Sequence, residues 1–212
     1  MIWSTLSHPW QVAFEEAWAA YCAGSVPIGA VIAHRETGDI LTRARNRRWE
    51  REDYPFSGIR NQEVMHAEVQ AILALDDEEY GPGEGVLYTT MEPCPMCLGM
   101  WFMSNMRELH FASRDPYAGA VNLLETTWYM TYKHMHAHGP VDGLETISLA
   151  MLLVHEYNLR GWDTGVYMQR MREQIPEGIA LAQTLIDSGA LQEMARDRYD
   201  VGVVIDALVN LI

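Results

Sequence analysis

Two short motifs constrain this chain more than any other feature of its sequence. His-Ala-Glu at residues 66–68 and Pro-Cys-Pro-Met-Cys at residues 93–97 each stand at the start of a predicted helix. Charged or ionisable groups are costly to bury at such positions unless a partner receives them. His66, Cys94 and Cys97 together offer one imidazole and two thiolates. A fold that uses all three must bring the two helix starts to one point.

These three side chains suit a zinc ion. One histidine and two cysteines leave the fourth tetrahedral position of zinc open to water, as in catalytic sites. Glu68 is not needed as a ligand, and its carboxylate can take a proton from the bound water, whose pKa zinc lowers from about 15.7 toward 7. Alone, each motif also fits a satisfied histidine, a structural zinc site or a redox pair. In combination they match the H-x-E and P-C-x-x-C signature of zinc deaminases.

Hydrophobic periodicity predicts the elements around the motifs. A helix is predicted over residues 8–24, between Pro9 and Gly24, followed by a hairpin with strands at 26–34 and 39–46. The remaining elements are helices at 64–75, 93–106 and 119–132 and strands at 86–90 and 107–113. This order predicts an α/β protein in which helices cover a sheet.

After Pro140 the sequence changes character. Residues 144–161, 177–197 and 199–212 are amphipathic or apolar segments separated by Gly and Pro. We therefore predict two parts, a zinc-dependent deaminase domain at 1–140 and a helical C-terminal extension at 141–212. The extension is expected to pack on the domain or on a partner subunit, because its apolar end is unlikely to be left in water.

Charge and cysteine content restrict the function and the compartment. The formal net charge is −14, which disfavours long-range attraction to nucleic acid. One basic segment stands out, either as a charged edge strand or as a phosphate-binding patch, with Arg43, Arg45, Arg47, Arg48 and Arg51. Three cysteines are too few for a disulfide framework, and Cys22 is expected in the core. Without a signal sequence or a long apolar run, a cytoplasmic protein is expected.

The motifs resemble those of the cytidine deaminase-like superfamily, and most closely its tRNA adenosine deaminases and guanine or nucleoside deaminases. The resemblance spans about residues 10–120 and rests on VPIGAVIA, RARNRR, HAEVQAI, TMEPCPMCLGM and FASRDPYAGA. It implies a three-layer fold with a mixed five-stranded sheet between helices. It also implies Zn²⁺ on His66, Cys94 and Cys97, with Glu68 as the proton shuttle.

The resemblance further implies how substrate is held. Asn46 matches the asparagine that binds substrate in these families; the alternative is a turn residue at the end of a strand. Ile28 and Met91 match positions that line the base pocket, and Asp115 lies in the segment at its mouth. Compared with the tRNA enzymes, the acidic loop at residues 50–62 is longer, and the chain after Pro140 does not match their basic C-terminal helix.

We therefore predict zinc-dependent hydrolytic deamination of a small nucleobase or nucleoside, with tRNA-specific adenosine deamination as the alternative. A non-catalytic binding protein is disfavoured because Glu68 is present. His134, His136 and His138 alternate, and we expect them to line the substrate entrance or a subunit contact rather than hold a second metal. The apolar tail and the apolar residues 101–103 predict a homodimer.

Overall fold

A computed structural model of the chain describes residues 3–50, 62–76, 81, 83–162 and 165–212. Its centre is a five-stranded sheet in the order β2-β1-β3-β4-β5, in which β1 is antiparallel to both β2 and β3 while β3, β4 and β5 are parallel. The strands are β1 (Gly29–His34), β2 (Ile40–Arg45), β3 (Gly85–Met91), β4 (Glu108–Ser113) and β5 (His136–His138).

Helices cover both faces of the sheet, which confirms the three-layer α/β fold. The helices are α1 (His8–Cys22), α2 (Ala67–Leu73), α3 (Pro95–Met103), α4 (Trp128–Tyr132), α5 (Leu144–Arg160), α6 (Val166–Gln174), α7 (Pro176–Ser188), α8 (Ala190–Arg196) and α9 (Val201–Val209). Short 3₁₀ turns lie at Trp3–Thr5, Gln62–Val64 and Val121–Glu125. One apolar core contains α2 and α3, and the other contains α1 and the C-terminal helices.

Strand β1 shows how the sequence separates the two cores. Ala30 and Ile32 point into the α2 and α3 core, whereas Val31 between them points into the α1 core. This alternation follows from the two-residue period of a strand. Gly29 lies directly against α1, because a Cβ atom there would stand 2.0 Å from the carbonyl oxygen of Ala13. A larger residue at that position would push helix and sheet apart.

Several predicted elements differ in detail from the structure. The helix predicted from Val64 begins at Ala67, since His66 is extended at φ −71° and ψ 154° and acts as the N-cap. The helix predicted over 119–132 is divided between a 3₁₀ turn and α4. Helix α6 was not predicted, and β5 was implied only by the family resemblance. Strand β5 pairs with β4 but has only three residues, and a segment of that length is too short to show the alternating hydrophobic pattern of a strand.

The C-terminal helices pack against their own chain. Helix α5 lies on β3 and β4 and supports α7, while α9 contacts α1. Two hydrogen bonds fasten the ends of the chain together, from Trp18 Nε1 to the Tyr199 carbonyl and from the Trp3 amide to Asp206 Oδ1. The domain boundary at residue 140 stays a prediction. Cys22 was expected in the core but is exposed, because it ends α1 on the solvent side.

Candidate active site

The structure brings His66, Cys94 and Cys97 together with their ligand atoms within 4.8 Å of one another. The two sulfur atoms are 3.6 Å apart, and His66 Nδ1 lies 3.7 Å from Cys94 Sγ and 3.4 Å from Cys97 Sγ. Tetrahedral zinc, with bonds of about 2.3 Å to sulfur and 2.0 Å to nitrogen, places its ligands roughly 3.8 Å (S to S) and 3.5 Å (N to S) apart. The group therefore fits Zn²⁺.

The three side chains are held by the starts of two helices. His66 is the N-cap of α2, Cys94 is the N-cap of α3, and Cys97 lies in the first turn of α3. Hydrogen bonds from the Cys97 thiol and from His66 lower the pKa of Cys94 to about 4, although burial opposes this. The hydrogen bond with Cys94, followed by burial, raises the pKa of Cys97, while the Cys94 hydrogen bond raises that of His66. These shifts favour the thiolate form of Cys94, which is the form that binds zinc.

Glu68 lies beside the group without belonging to it. Its side chain is 3 % exposed, and burial raises the pKa of its carboxyl. Oε1 accepts a hydrogen bond from Thr89 Oγ1 at 3.3 Å, and Oε2 lies 3.5 Å from Cys97 Sγ. A buried carboxyl with a raised pKa, fixed by a strand residue next to the metal ligands, is suited to moving protons.

Asn46 follows β2 and is buried. Its Oδ1 accepts hydrogen bonds from the Arg48 amide at 3.0 Å and from Ser25 Oγ at 3.2 Å. Its backbone amide donates to the carbonyl of Ile28, which is half-buried between the two cores. The carboxamide of Asn46 is thus held in one orientation. Asn46 and Ile28, which are both predicted substrate residues, are hydrogen-bonded neighbours. Their role in binding stays a prediction.

Met91 and Asp115 are the other two predicted substrate residues. Met91 ends β3 and is buried in the core that contains α1. Asp115 Oδ1 accepts hydrogen bonds from the backbone amides of Tyr117 and Ala118, at 3.0 and 2.9 Å. The Asp115 carboxylate thereby stabilises its own turn. Contact with substrate stays a prediction for Met91 and Asp115.

Glu92 is a positioning residue that the sequence analysis missed. Its Oε2 accepts from the Asp115 amide at 3.2 Å and its Oε1 from the Val121 amide at 3.1 Å. A Cβ atom on Gly119 would stand 2.4 Å from this carboxylate, so the loop closes tightly around it. Glu92 precedes Pro93 and Cys94, and it therefore fixes the loop after β4 relative to the cysteines. In the sequence, this role was indicated by an acidic residue that stands between a predicted buried strand and the cysteine motif.

The basic segment is an edge strand whose charges are compensated, as the first of its two interpretations predicted. Strand β2 lies at one edge of the sheet. Each described arginine of the segment is paired with a carboxylate: Arg43 with Glu15 and Glu16, Arg45 and Arg47 with Glu50, and Arg48 with Glu63. Arg51 and most of the acidic loop at residues 50–62 lie outside the described residues. The described part of the segment carries little uncompensated positive charge.

The three alternating histidines lie at the opposite edge. His136 and His138 are exposed on β5, and His134 precedes the strand at a positive φ of 49°. The ring of His138 stacks on His110 with centroids 4.8 Å apart. An entrance or subunit-contact role for these histidines stays a prediction. None of the described helices combines the length and the apolar character that crossing a membrane requires.

Comparison with known proteins supports the chemistry of this site. The sequence profile of a family described as the cytidine and deoxycytidylate deaminase zinc-binding region matches residues 4–113. A tRNA-specific adenosine deaminase of Bacillus subtilis is 37% identical over 122 residues, which cover 53% of this chain and 67% of that protein. The tRNA-specific adenosine deaminase of Agrobacterium fabrum is 34% identical over a region that covers 54% of this chain and 70% of that protein.

Solved structures share the fold. A structure from work on A-to-I editing by tRNA:A34 deaminases superposes with a TM-score of 0.54 at 27% identity, covering 69% of this chain and all of that one. A protein solved in complex with 2,6-diaminopurine has a TM-score of 0.52 at 21% identity, over 76% of this chain and 85% of its own. The second likeness concerns the fold alone.

Proposed function

The chain belongs to the cytidine and deoxycytidylate deaminase zinc-binding family and is a zinc-dependent aminohydrolase, and we propose that its substrate is a small nucleobase or nucleoside. The observation that carries the chemistry is the His66, Cys94 and Cys97 group with buried Glu68 beside it. The reaction adds water to a ring carbon that bears an amine. The C–N bond breaks, a carbonyl remains on the ring and ammonia leaves.

Each residue of the site has a role in this proposal. Zinc, held by His66, Cys94 and Cys97, would supply water of lowered pKa. Glu68 takes one proton from the attacking water and delivers it to a ring nitrogen, and it then moves the second proton from the added hydroxyl group to the departing amine, which its position next to Cys97 allows. Because the Asn46 oxygen is engaged by Arg48 and Ser25, its amide N–H groups are the part that can bind the substrate. Ile28, Met91 and Asp115 shape the surrounding pocket.

Charge favours a small substrate over RNA. RNA-binding proteins gain most of their non-specific affinity from Lys and Arg contacts to phosphates. Here the net charge is −14 and the described arginines of the basic segment face carboxylates of the same chain. A phosphate backbone would have to compete with these internal ion pairs.

We expect ammonia release from at least one compound in a panel of cytosine, adenine, guanine, their nucleosides and their 5′-monophosphates. The zinc-loaded protein should act on a base or nucleoside with kcat/KM in the usual enzyme range, about 10⁴ M⁻¹s⁻¹ or more. A coupled ammonia assay gives the rates. The proposal would be contradicted if the protein deaminated tRNA but none of these small molecules.

The second candidate is tRNA-specific adenosine deamination, which the similarity to two tRNA-specific adenosine deaminases favours. A gel-shift titration with tRNA between about 50 and 200 mM salt separates the two functions. An enzyme that contacts several phosphates loses about 10³-fold or more in affinity across that range. Our proposal predicts weak binding at every salt concentration.

We also propose a homodimer, but with a different contact from the one that the sequence suggested. Most apolar side chains of the tail pack within their own chain, but its last two residues, Leu211 and Ile212, are 53% and 60% exposed, contrary to the expectation from the sequence. Trp101 and Phe102 are buried, whereas Met103 is 62% exposed. On α4, whose Tyr129 packs edge-to-face on Phe102, Trp128 and Tyr132 are 76% and 64% exposed and stack on each other. Large exposed aromatic groups of this kind mark interaction surfaces.

Light scattering should therefore give a mass near twice the 24.1 kDa of one chain at micromolar concentration. Trp128→Ala should shift the mass toward a single chain, because removal of a central aromatic residue commonly weakens an interface by 2 kcal/mol or more, roughly 30-fold. Val203→Ala, which removes an exposed apolar side chain on α9, is the matched control. A monomeric wild-type protein would refute the dimer.

We further propose a cytoplasmic location, where both cysteines of the zinc group stay reduced.

A further inference from the structure

A cavity of about 310 Å³ lies where the catalytic loops meet the C-terminal helices. The catalytic side contributes Arg48 and Tyr117, and the C-terminal side contributes Glu156, Tyr157, Trp162 and Tyr167, among others. This volume is at the lower end of the range for small-molecule pockets, about 300–1,000 Å³. Neither part of the chain forms the cavity alone.

The cavity adjoins the candidate active site through the backbone. The amide of Arg48 donates to Asn46 Oδ1, and the amide of Tyr117 donates to Asp115 Oδ1, each at 3.0 Å. Glu92 ties the Asp115 loop to the segment that enters Cys94. The two catalytic-side walls of the cavity are therefore held by Asn46 and Asp115, two of the predicted substrate contacts.

The far wall is fastened to the catalytic domain. Arg114 follows β4, and its guanidinium makes two hydrogen bonds to the Glu145 carboxylate on α5, at 2.6 and 3.0 Å. A third bond joins Arg114 Nη2 to the carbonyl of Gln174 at the end of α6. The helices that carry Tyr157 and Tyr167 are thus held against the loop that carries Tyr117.

The walls are aromatic. Tyr117 and Tyr167 form an edge-to-face pair with centroids 5.4 Å apart, and Tyr157 and Trp162 form a tilted pair at 5.6 Å. Rings fixed in this way present flat and edge surfaces on which a planar heterocycle can stack. Arg48 Nε is buried and has no hydrogen-bond partner among the described residues. A buried N–H group of this kind calls for an acceptor, which a ring carbonyl, a ring nitrogen or a sugar hydroxyl supplies.

The charges of the cavity do not suit an anion. Arg160 is paired with Glu156, and Arg48 is paired with Glu63. A phosphate monoester carries about −1.5 to −2 charges near pH 7 and would meet the Glu156 carboxylate without a free cation among the described lining residues. Neutral ligands avoid this cost.

We infer that this cavity is the substrate subsite that binds the ring or sugar of an uncharged nucleobase or nucleoside, with Tyr167 and Trp162 of the C-terminal extension as its specificity-determining walls. The inference rests on the proposed function and adds to it that the extension, rather than the deaminase domain alone, selects a small neutral substrate over nucleotides and RNA.

The test measures binding and turnover separately. Titration calorimetry with cytidine, adenosine, guanosine and their 5′-monophosphates uses zinc-loaded protein carrying Glu68→Gln, so that turnover does not interfere. The best-bound nucleoside should bind about fivefold or more tighter than its monophosphate. Adding Tyr167→Ala should weaken nucleoside binding about tenfold, as expected for loss of one stacking ring. Tyr199→Ala, at an exposed tyrosine outside the cavity, should change binding less than twofold.

In the Glu68-containing enzyme, Tyr167→Ala should raise KM about tenfold and leave kcat within threefold, with zinc content unchanged. Trp162→Leu repeats the test on the same wall if Tyr167→Ala does not fold. Normal turnover with unchanged KM in both variants, or tighter binding of the monophosphate, would overturn the subsite alone. Absence of any deamination by the wild-type enzyme would instead refute the proposed function. Even in that case, a nucleoside that binds the wild-type protein but not Tyr167→Ala would support the subsite.

Discussion

Glu68→Gln is expected to lower kcat by about 10² to 10⁴-fold while the protein keeps its fold and its zinc. Glutamine has nearly the shape of glutamate and can still meet the Thr89 hydroxyl, which lies 3.3 Å from Glu68 Oε1. It cannot accept and release a proton. The rate loss should therefore appear in turnover, and KM should change little, because the role that we propose for Glu68 is in the proton transfers rather than in binding.

The measurement pairs ammonia release with elemental analysis of the same samples. Glu193→Gln makes the identical chemical change at an exposed residue of α8 and should be indistinguishable from the wild type. Undiminished activity in Glu68→Gln would mean that another group moves the proton. Loss of zinc in this variant would instead make Glu68 a metal ligand, contrary to its placement outside the three-atom group.

Cys94→Ala and Cys97→Ala are each expected to reduce zinc from about one ion per chain to a small fraction and to abolish turnover. Removal of one of three protein ligands leaves two, and few side chains replace a thiolate at a zinc ion. Cys94 is the more informative position because it is half-buried at the N-cap of α3, whereas Cys97 is fully buried and its removal also leaves a small cavity.

Cys22→Ala is the matched control, since it removes the remaining thiol of the chain from an exposed position at the end of α1. It should retain full zinc and full activity. Full zinc occupancy in both Cys94→Ala and Cys97→Ala would exclude the proposed ligand set. Retained zinc with lost activity would indicate that the metal is held elsewhere and that the cysteines act in another way.

Much of the site could be predicted because its signals are local. The spacing of Cys94 and Cys97 places both thiols on one helix start, and a single residue separates His66 from Glu68. Short-range spacing of this kind is written directly in the chain, and zinc chemistry restricts which combinations are useful. The elements around these motifs were predicted for the same reason, since strand and helix periods repeat within a few residues.

Other features depended on partners far away in the chain. The arginines of β2 left a phosphate-binding patch open as the alternative to a charged edge strand until the structure paired Arg43 with α1, 27 residues away. Glu92 acquires its role only from the amides of Asp115 and Val121, which lie 23 and 29 residues on. Charge and hydrogen-bonding capacity can be read from the sequence, but the partner that satisfies them cannot.

The sequence by itself therefore determined the α/β class, the zinc chemistry and the side chains predicted to perform it, because these follow from local periodicity and from ligand type. Only the tertiary structure decided where the C-terminal helices lie and that Tyr167 packs edge-to-face against Tyr117 in the wall of a cavity. An apolar helix face shows that something must cover it, yet many surfaces satisfy that need equally well. The choice among them is made by the packing of the whole chain.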